Sequence, residues 1–186
     1  MTLVATAAKA SGAGAGAMTQ LFDSTLSSPA ATIDANGLPT TYNHLLIVIR
    51  SRSTEVTTRN SQLLTFNNDT GANYAGEAVR GLAAAGAGSL SLTANSIGYD
   101  APCASATANF LGATTFLIPS YSDTTLPKCC LSIEGSIASP SSGTNNWAAA
   151  RQSIWSGTAA ITRVTITASG GANFVTGSRM TIYGIT

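Results

Sequence analysis

Along much of this chain apolar and polar residues alternate with a period of two, the mark of strands that bury one face. Trp147 to Trp155 puts Trp147, Ala149, Arg151, Ser153 and Trp155 on one face, and Ile161 to Thr167 (ITRVTIT) alternates throughout. Thr114 to Ile118 alternates up to Pro119, and Lys128 to Ile137 (KCCLSIEGSI) reads as another strand. The strongest element is Tyr42 to Arg52. Its centre, Leu45-Leu46-Ile47-Val48-Ile49, is apolar on both faces, which predicts a central strand covered on each side. Weaker strands are expected at Gln62 to Phe66, near Ala78–Leu82 and near Leu90–Leu92. Leu21 to Ile33 reads as a first edge strand that turns at Ser28-Pro29. At the far end Gly177-Ser178 supplies a turn into a closing strand, with Met180 and Ile182 on one side and Thr181 and Tyr183 on the other.

Turn signals separate these runs: Asp34–Gly37, Asn67–Tyr74, Pro140–Gly143 and Gly170-Gly171. About eight strands at this spacing predict an all-β, antiparallel β-sandwich, and the long connections favour a jelly-roll-like arrangement. The chain divides into an Ala/Gly-rich N-terminal arm, residues 1–20, and a sandwich domain, residues 21–186. The arm has small residues at Ala15-Gly16-Ala17, but it lacks a basic leader and Lys9 interrupts its apolar stretch, unlike a signal peptide.

Composition sharpens this picture. Charged residues make up only 9% of the 186, and Thr, Ser and Asn carry the polarity instead. Such a surface suits a subunit packed against copies of itself or a larger assembly better than a solitary soluble monomer. The net charge is +1 and the nine basic residues are scattered, which argues against a nucleic-acid partner. Only Arg50 and Arg52 stand close, on one face of the predicted strand. No apolar run reaches the ~20 residues of a membrane-spanning helix. Cys103, Cys129 and Cys130 do not form a disulfide pattern, and of the adjacent pair at most one can join the core.

The candidate chemistry is sparse. His44 is the single histidine, so a Cys/His nucleophile pair with Cys103, Cys129 or Cys130 is the one common hydrolase arrangement to weigh. Against it stands a His44 that opens a core strand and bonds to backbone. The carboxylates Asp23, Asp34, Glu55, Asp69, Glu77, Asp100, Asp123 and Glu134 show no spacing that marks a glycosidase pair. Asn67–Gly71 lacks the ligand spacing of a calcium loop and reads as Asx-turn chemistry. The Gly-rich runs Gly12–Gly16 and Gly81–Gly88 lack the Lys-Ser/Thr of a phosphate loop. Tyr74, Tyr99, Tyr121, Trp147 and Trp155 are either a sugar-stacking platform or, more commonly, core anchors. The sequence therefore assigns no catalytic, cofactor-binding or metal-ligating residue, and the expectation is a structural protein rather than an enzyme.

Several segments together carry a resemblance. They are Phe22-Asp23, Leu38-Pro39-Thr40-Thr41-Tyr42-Asn43-His44-Leu45, Arg50-Ser51-Arg52, Phe66 to Tyr74, Phe116-x-Ile118-Pro119-x-Tyr121, Trp155 to Thr162, and Phe174-x-x-Gly177-Ser178-Arg179-Met180-x-Ile182-Tyr183-Gly184-Ile185. The set, spanning roughly Leu21 to Thr186, resembles tailed-bacteriophage virion proteins whose shared domain ends in a GSR-x-x-LYG-I-type strand. Met180 and Ile182 stand where Leu or Phe is common. The resemblance implies a jelly-roll-like sandwich, usually a homotrimer, on the virion exterior, with no catalytic residues. The short arm favours a capsid decoration (cement) protein bound to the major capsid protein. The alternative is a tail-fibre, receptor-binding protein recognising a host surface glycan. Neither reading involves a membrane.

Overall fold

The computed structural model describes residues 4–6, 18–82, 85–139 and 146–186. Within them the strands are β1 (Val4–Thr6), β2 (Met18–Thr25), β3 (Thr32–Asn36), β4 (His44–Ser51), β5 (Arg59–Phe66), β6 (Tyr74–Leu82), β7 (Ala85–Ala94), β8 (Ile97–Pro102), β9 (Gly112–Pro119), β10 (Lys128–Ser136), β11 (Trp147–Trp155), β12 (Arg163–Thr167) and β13 (Arg179–Ile185). One 3-10 turn, Ser169–Gly171, is the helical element among the described residues, none of which forms a helix able to cross a membrane.

Eleven strands build two antiparallel sheets of seven and four, ordered β2-β13-β4-β9-β10-β11-β6 and β3-β12-β5-β8. β7 adds to the edge of the first sheet, and β1 lies parallel to β3 at the edge of the second. The pairs β2/β13, β3/β12, β4/β9 and β5/β8 form a double ribbon folded so that successive pairs alternate between sheets. That is the jelly-roll arrangement. Eight strands make up the jelly roll, but eleven build the sandwich where about eight were expected. The surplus comes from two insertions, β6–β7 between β5 and β8, and β10–β11 between β9 and β12. These meet at the β11–β6 pairing and widen the first sheet only.

The core lies between β2-β13-β4-β9 and the second sheet. Phe22, Leu45, Ile47, Ile49, Phe116, Ile118, Met180 and Ile182 face Ile33, Ala35, Leu64, Phe66, Ile97, Val164 and Ile166. The closing strand points Met180 and Ile182 inward as the alternation predicts, entered through Gly177 at φ 85°.

Four expectations change. Leu21 to Ile33 is two strands in different sheets, and Asp34–Asn36 belongs to β3 rather than to a turn. Asp34 is buried because Arg163 Nε (2.8 Å) and Thr165 Oγ1 (2.6 Å) donate to it across the β3–β12 ladder. β8 has no counterpart in the sequence reading, since Gly98, Pro102 and the short Ile97–Ala101 run disguise it. Arg50 and Arg52 do not share a face. β4 ends at Ser51, so Arg50 stays exposed while Arg52 turns inward. The Arg52 guanidinium donates to the carbonyls of Thr107 (2.7 Å), Phe110 (3.2 Å), Ala104 (3.2 Å) and Ala106 (2.9 Å), clasping the loop between β8 and β9. The arm assigned to residues 1–20 lies mostly outside the described residues, and β2 already begins at Met18.

Ile182→Asp places an unpaired carboxylate at a fully buried core position, costing several kcal/mol; the expected outcome is loss of the cooperative thermal transition and of soluble expression. Arg52→Met leaves four carbonyls without their donor. It should lower stability by about 3 kcal/mol, read as a Tm drop of roughly 6–12 °C in a thermal melt.

Candidate functional site: the outer face of the large sheet

The register aligns the outward side chains of the first sheet in rows. One row runs Tyr183, Leu46, Leu117, Leu131, Gln152, Glu77 across β13, β4, β9, β10, β11 and β6. The next runs Thr181, Val48, Thr115, Ile133, Ala150, Val79, and the third runs Arg179, Arg50, Ala113, Gly135, Ala148, Gly81. With strands about 4.8 Å apart and rows about 6.8 Å apart, six strands and three rows span roughly 24 by 14 Å. Glu77 is the one carboxylate in these rows, at the β6 end, and Arg50 and Arg179 lie at the opposite end. Between these ends the rows are apolar apart from Thr115 and Gln152.

β10 is inside out. Its inward residues are Lys128, Cys130, Ser132, Glu134 and Ser136, whereas Leu131 and Ile133 stand 48% and 72% exposed. Val79 on β6, at 70%, and Ile154 on β11 continue this apolar surface. A groove of about 700 Å³ opens here, floored by Ala75, Gly76 and Ala150 and walled by Val79, Leu131, Ile133 and Ile154. The expectation for Leu45–Ile49 also changes. β4 is central, but only Leu45, Ile47 and Ile49 are covered, and Leu46 and Val48 belong to the uncovered face. Their apolar character was the sequence signal for this surface. The inversion of β10 carried none, because alternation does not say which face turns inward.

The weighed candidates fall elsewhere. His44 opens β4, and its Nδ1 accepts the backbone N–H of Ser120 at 3.2 Å. Cys129 lies two strands away across β9, roughly 10 Å, beyond hydrogen-bond reach. Cys130 faces the core, and Cys103 accepts from Ser53 Oγ beyond the far end of β4, roughly 30 Å along the strand. Burial pushes the Cys103 and Cys130 thiols up, so neither is a ready thiolate. No Cys/His pair assembles. Tyr74, Tyr99, Tyr121, Trp147 and Trp155 are all buried, as core anchors rather than a platform.

Most carboxylates have structural work. Asp23 takes two hydrogen bonds from Arg179, both 2.7 Å, and Asp123 caps its own turn through Thr125. Glu134 and Asp100 come together, but at 1% and 6% exposure they offer no face to a sugar. In the Asn67–Tyr74 turn, Asn67 and Asn68 adopt positive φ and Asp69 Oδ1 accepts the Gly71 N–H at 2.9 Å, an Asx turn as predicted. Asp69 also accepts from Trp155 Nε1 (2.6 Å) and Asn73 Nδ2, and its carbonyl accepts from the Tyr74 hydroxyl. The Gly12–Gly16 run and the Pro140–Gly143 loop lie outside the described residues.

No family model matches the chain, and neither a characterised protein nor a solved structure matches it.

The hydrogen bond from Trp155, followed by those from Gly71 and Asn73 and opposed by burial, holds the Asp69 carboxyl below its ordinary 3.8. A depressed folded value stabilises the fold above the unfolded pKa and loses that contribution as pH falls through the folded one. Trp155→Phe should therefore flatten the decline of the urea midpoint as pH falls below the ordinary carboxylate value of 3.8, relative to wild type. An unchanged acid limb would contradict the role of this bond.

Proposed function

We propose that this chain is a structural virion protein, a trimeric capsid decoration (cement) protein that binds the major capsid protein on the outside of a tailed-phage head. The inside-out strand β10 carries the reading. A strand that hides Lys128, Ser132 and Glu134 while presenting Leu131 and Ile133 to water is costly for an isolated molecule, and the cost disappears when another surface covers the apolar side. The segments from Phe22 to Ile185 that resemble phage exterior proteins supply the kind of assembly. The scarcity of charge fits a subunit whose surface is largely occupied.

A closed threefold ring has the symmetry of the threefold and quasi-threefold positions of an icosahedral shell. The protein would act by mass action: a clamp that binds only the assembled lattice stabilises it by its own binding free energy. The alternative, a receptor-binding tail protein, would use exposed aromatics to stack on sugar. The five weighed for that role lie in the core, which favours the head.

The expected state in solution is a trimer by light scattering. Leu131→Asp combined with Ile133→Asp should leave the far-UV circular dichroism and cooperative melt intact, yield monomer, and abolish co-sedimentation with capsids. Copies found only at the tail in virion images, or a double variant that still trimerises and binds capsids, would overturn the reading.

A further inference from the structure

Asn36 is the last residue of β3 and the single asparagine of the chain that a glycine follows. The ladder with β12 stops here, at the pairing of Asn36 with Arg163. The next amide lies beyond the ladder, and the Gly37 N–H donates to Oδ1 of the preceding Asn36 at 2.9 Å. The carboxamide carbon, one bond from that oxygen, is thereby held against the Gly37 nitrogen. Both residues are exposed. Gly37 has φ 74°, and no atom stands within 4 Å of the place where a Cβ would be, so no side chain shields the nitrogen. The residue after this pair is tied down. Leu38 is 3% exposed, and its N–H donates to the Thr162 carbonyl at 2.9 Å. The end of β3 thus presents an exposed reactive pair directly before a fixed anchor.

We propose that Asn36-Gly37 is a self-modification site, at which Asn36 converts to aspartate and isoaspartate through a cyclic imide. Water or hydroxide takes the Gly37 amide proton, and the nitrogen electron pair forms a bond to Asn36 Cγ. The Cγ–Nδ2 bond breaks, and Nδ2 leaves as ammonia with a proton returned by the same base. A water molecule then opens the imide ring. Attack at Cγ breaks its bond to the Gly37 nitrogen and gives aspartate. Attack at the main-chain carbonyl carbon of Asn36 breaks that carbon's bond to the nitrogen instead. The product is isoaspartate, whose main chain runs through Cβ and Cγ. Nothing is oxidised or reduced, and solvent water is the one co-reactant.

Local contacts set Asn36 apart from other asparagines. Asn60 also accepts the next N–H, from Ser61 at 2.8 Å, but its Nδ2 donates to Glu55 and Ser169 and it lies within β5. Asn67 is held at both atoms, Nδ2 by the Ala160 carbonyl and Oδ1 by the N–H groups of Thr162 and Arg163. The two products differ in consequence. Either one removes the formal net charge of +1. Aspartate places its charge opposite Arg163 and leaves the path of the chain unchanged. Isoaspartate adds a main-chain atom between β3 and Leu38, so Leu38 cannot keep both its burial and its bond to Thr162. The site belongs to the second sheet and is independent of the apolar outer face of the first.

The test is peptide mapping by mass spectrometry after incubation of the folded protein in mildly alkaline buffer, with isoaspartate and aspartate peptides separated by chromatography. Asn36 should convert about tenfold faster than any other asparagine, and faster as pH rises. The urea-unfolded chain should convert no more than about threefold faster than the folded protein. The isoaspartate fraction, isolated by ion exchange, should melt about 4–8 °C below unconverted protein. Asn36→Asp should melt no lower than wild type, and Asn36→Gln should show neither conversion nor a falling Tm on incubation. Conversion in urea but not in the folded protein overturns the proposal, because the fold then protects the pair. Equal conversion at every asparagine overturns it too. An isoaspartate fraction that melts with unconverted protein overturns the coupling to Leu38.

Discussion

The orientation of β10 is the constraint on which the two unusual surfaces of this molecule depend. Strand register has a period of two, so a slip of one residue would exchange Leu131 and Ile133 for Ser132 and Glu134. Glu134 fixes the choice. Its carboxylate pairs with Arg151 on the neighbouring strand and takes the Asp100 N–H from the open edge of β8, a bond to the opposite sheet that only an inward Glu134 can make. Burial raises the Glu134 pKa while Arg151 pulls it back, so the group is held inside against its own desolvation. One inward carboxylate thereby commits the apolar half of β10 to the outside.

Sequence and structure agree where burial is one-sided and strong. Trp147 to Trp155, Ile161 to Thr167 and Met180 to Ile185 carry their inner faces as alternation places them, and the Asn67–Tyr74 turn has the Asx chemistry that its residues imply. The all-β sandwich was legible in these runs, but the count was not: about eight strands were expected and eleven build the two sheets. The failures have separate causes. Asp34 was assigned to a turn because Asp is common there, whereas a cross-strand Arg163 and Thr165 make it a strand residue. β8 is too short and too rich in Gly and Pro to announce itself. The outer face was half visible: Leu46 and Val48 predicted a covered face, but among the described residues no layer of this chain lies over it.

The buried polar groups divide by function in the fold. Arg52 and Lys128 spend their charge on backbone carbonyls and so tie loops to strands, Lys128 through Leu126 and Thr158. Asp69 gathers donors from Gly71, Asn73 and Trp155 at one corner. In these three places donors and acceptors balance. Where β10, β11 and β6 run on past the second sheet they do not: Arg59, Arg80, Arg151 and Trp147 each keep a buried N–H without an acceptor.

The two insertions that widen the large sheet are halves of one unit. β6–β7 leave the chain between β5 and β8, β10–β11 leave it between β9 and β12, and they are stitched together only along the β11–β6 ladder. Losing β10–β11 would strand β6–β7 with no neighbour leading back to β9, while losing β6–β7 would leave β11 as a bare edge. β6–β7 therefore depends on β10–β11 for its place in the sheet, and not the reverse. Their joint removal leaves two matched four-stranded layers ending at β9 and β8, so the apolar rows of β10 and β6 belong to an addition rather than to the jelly roll itself.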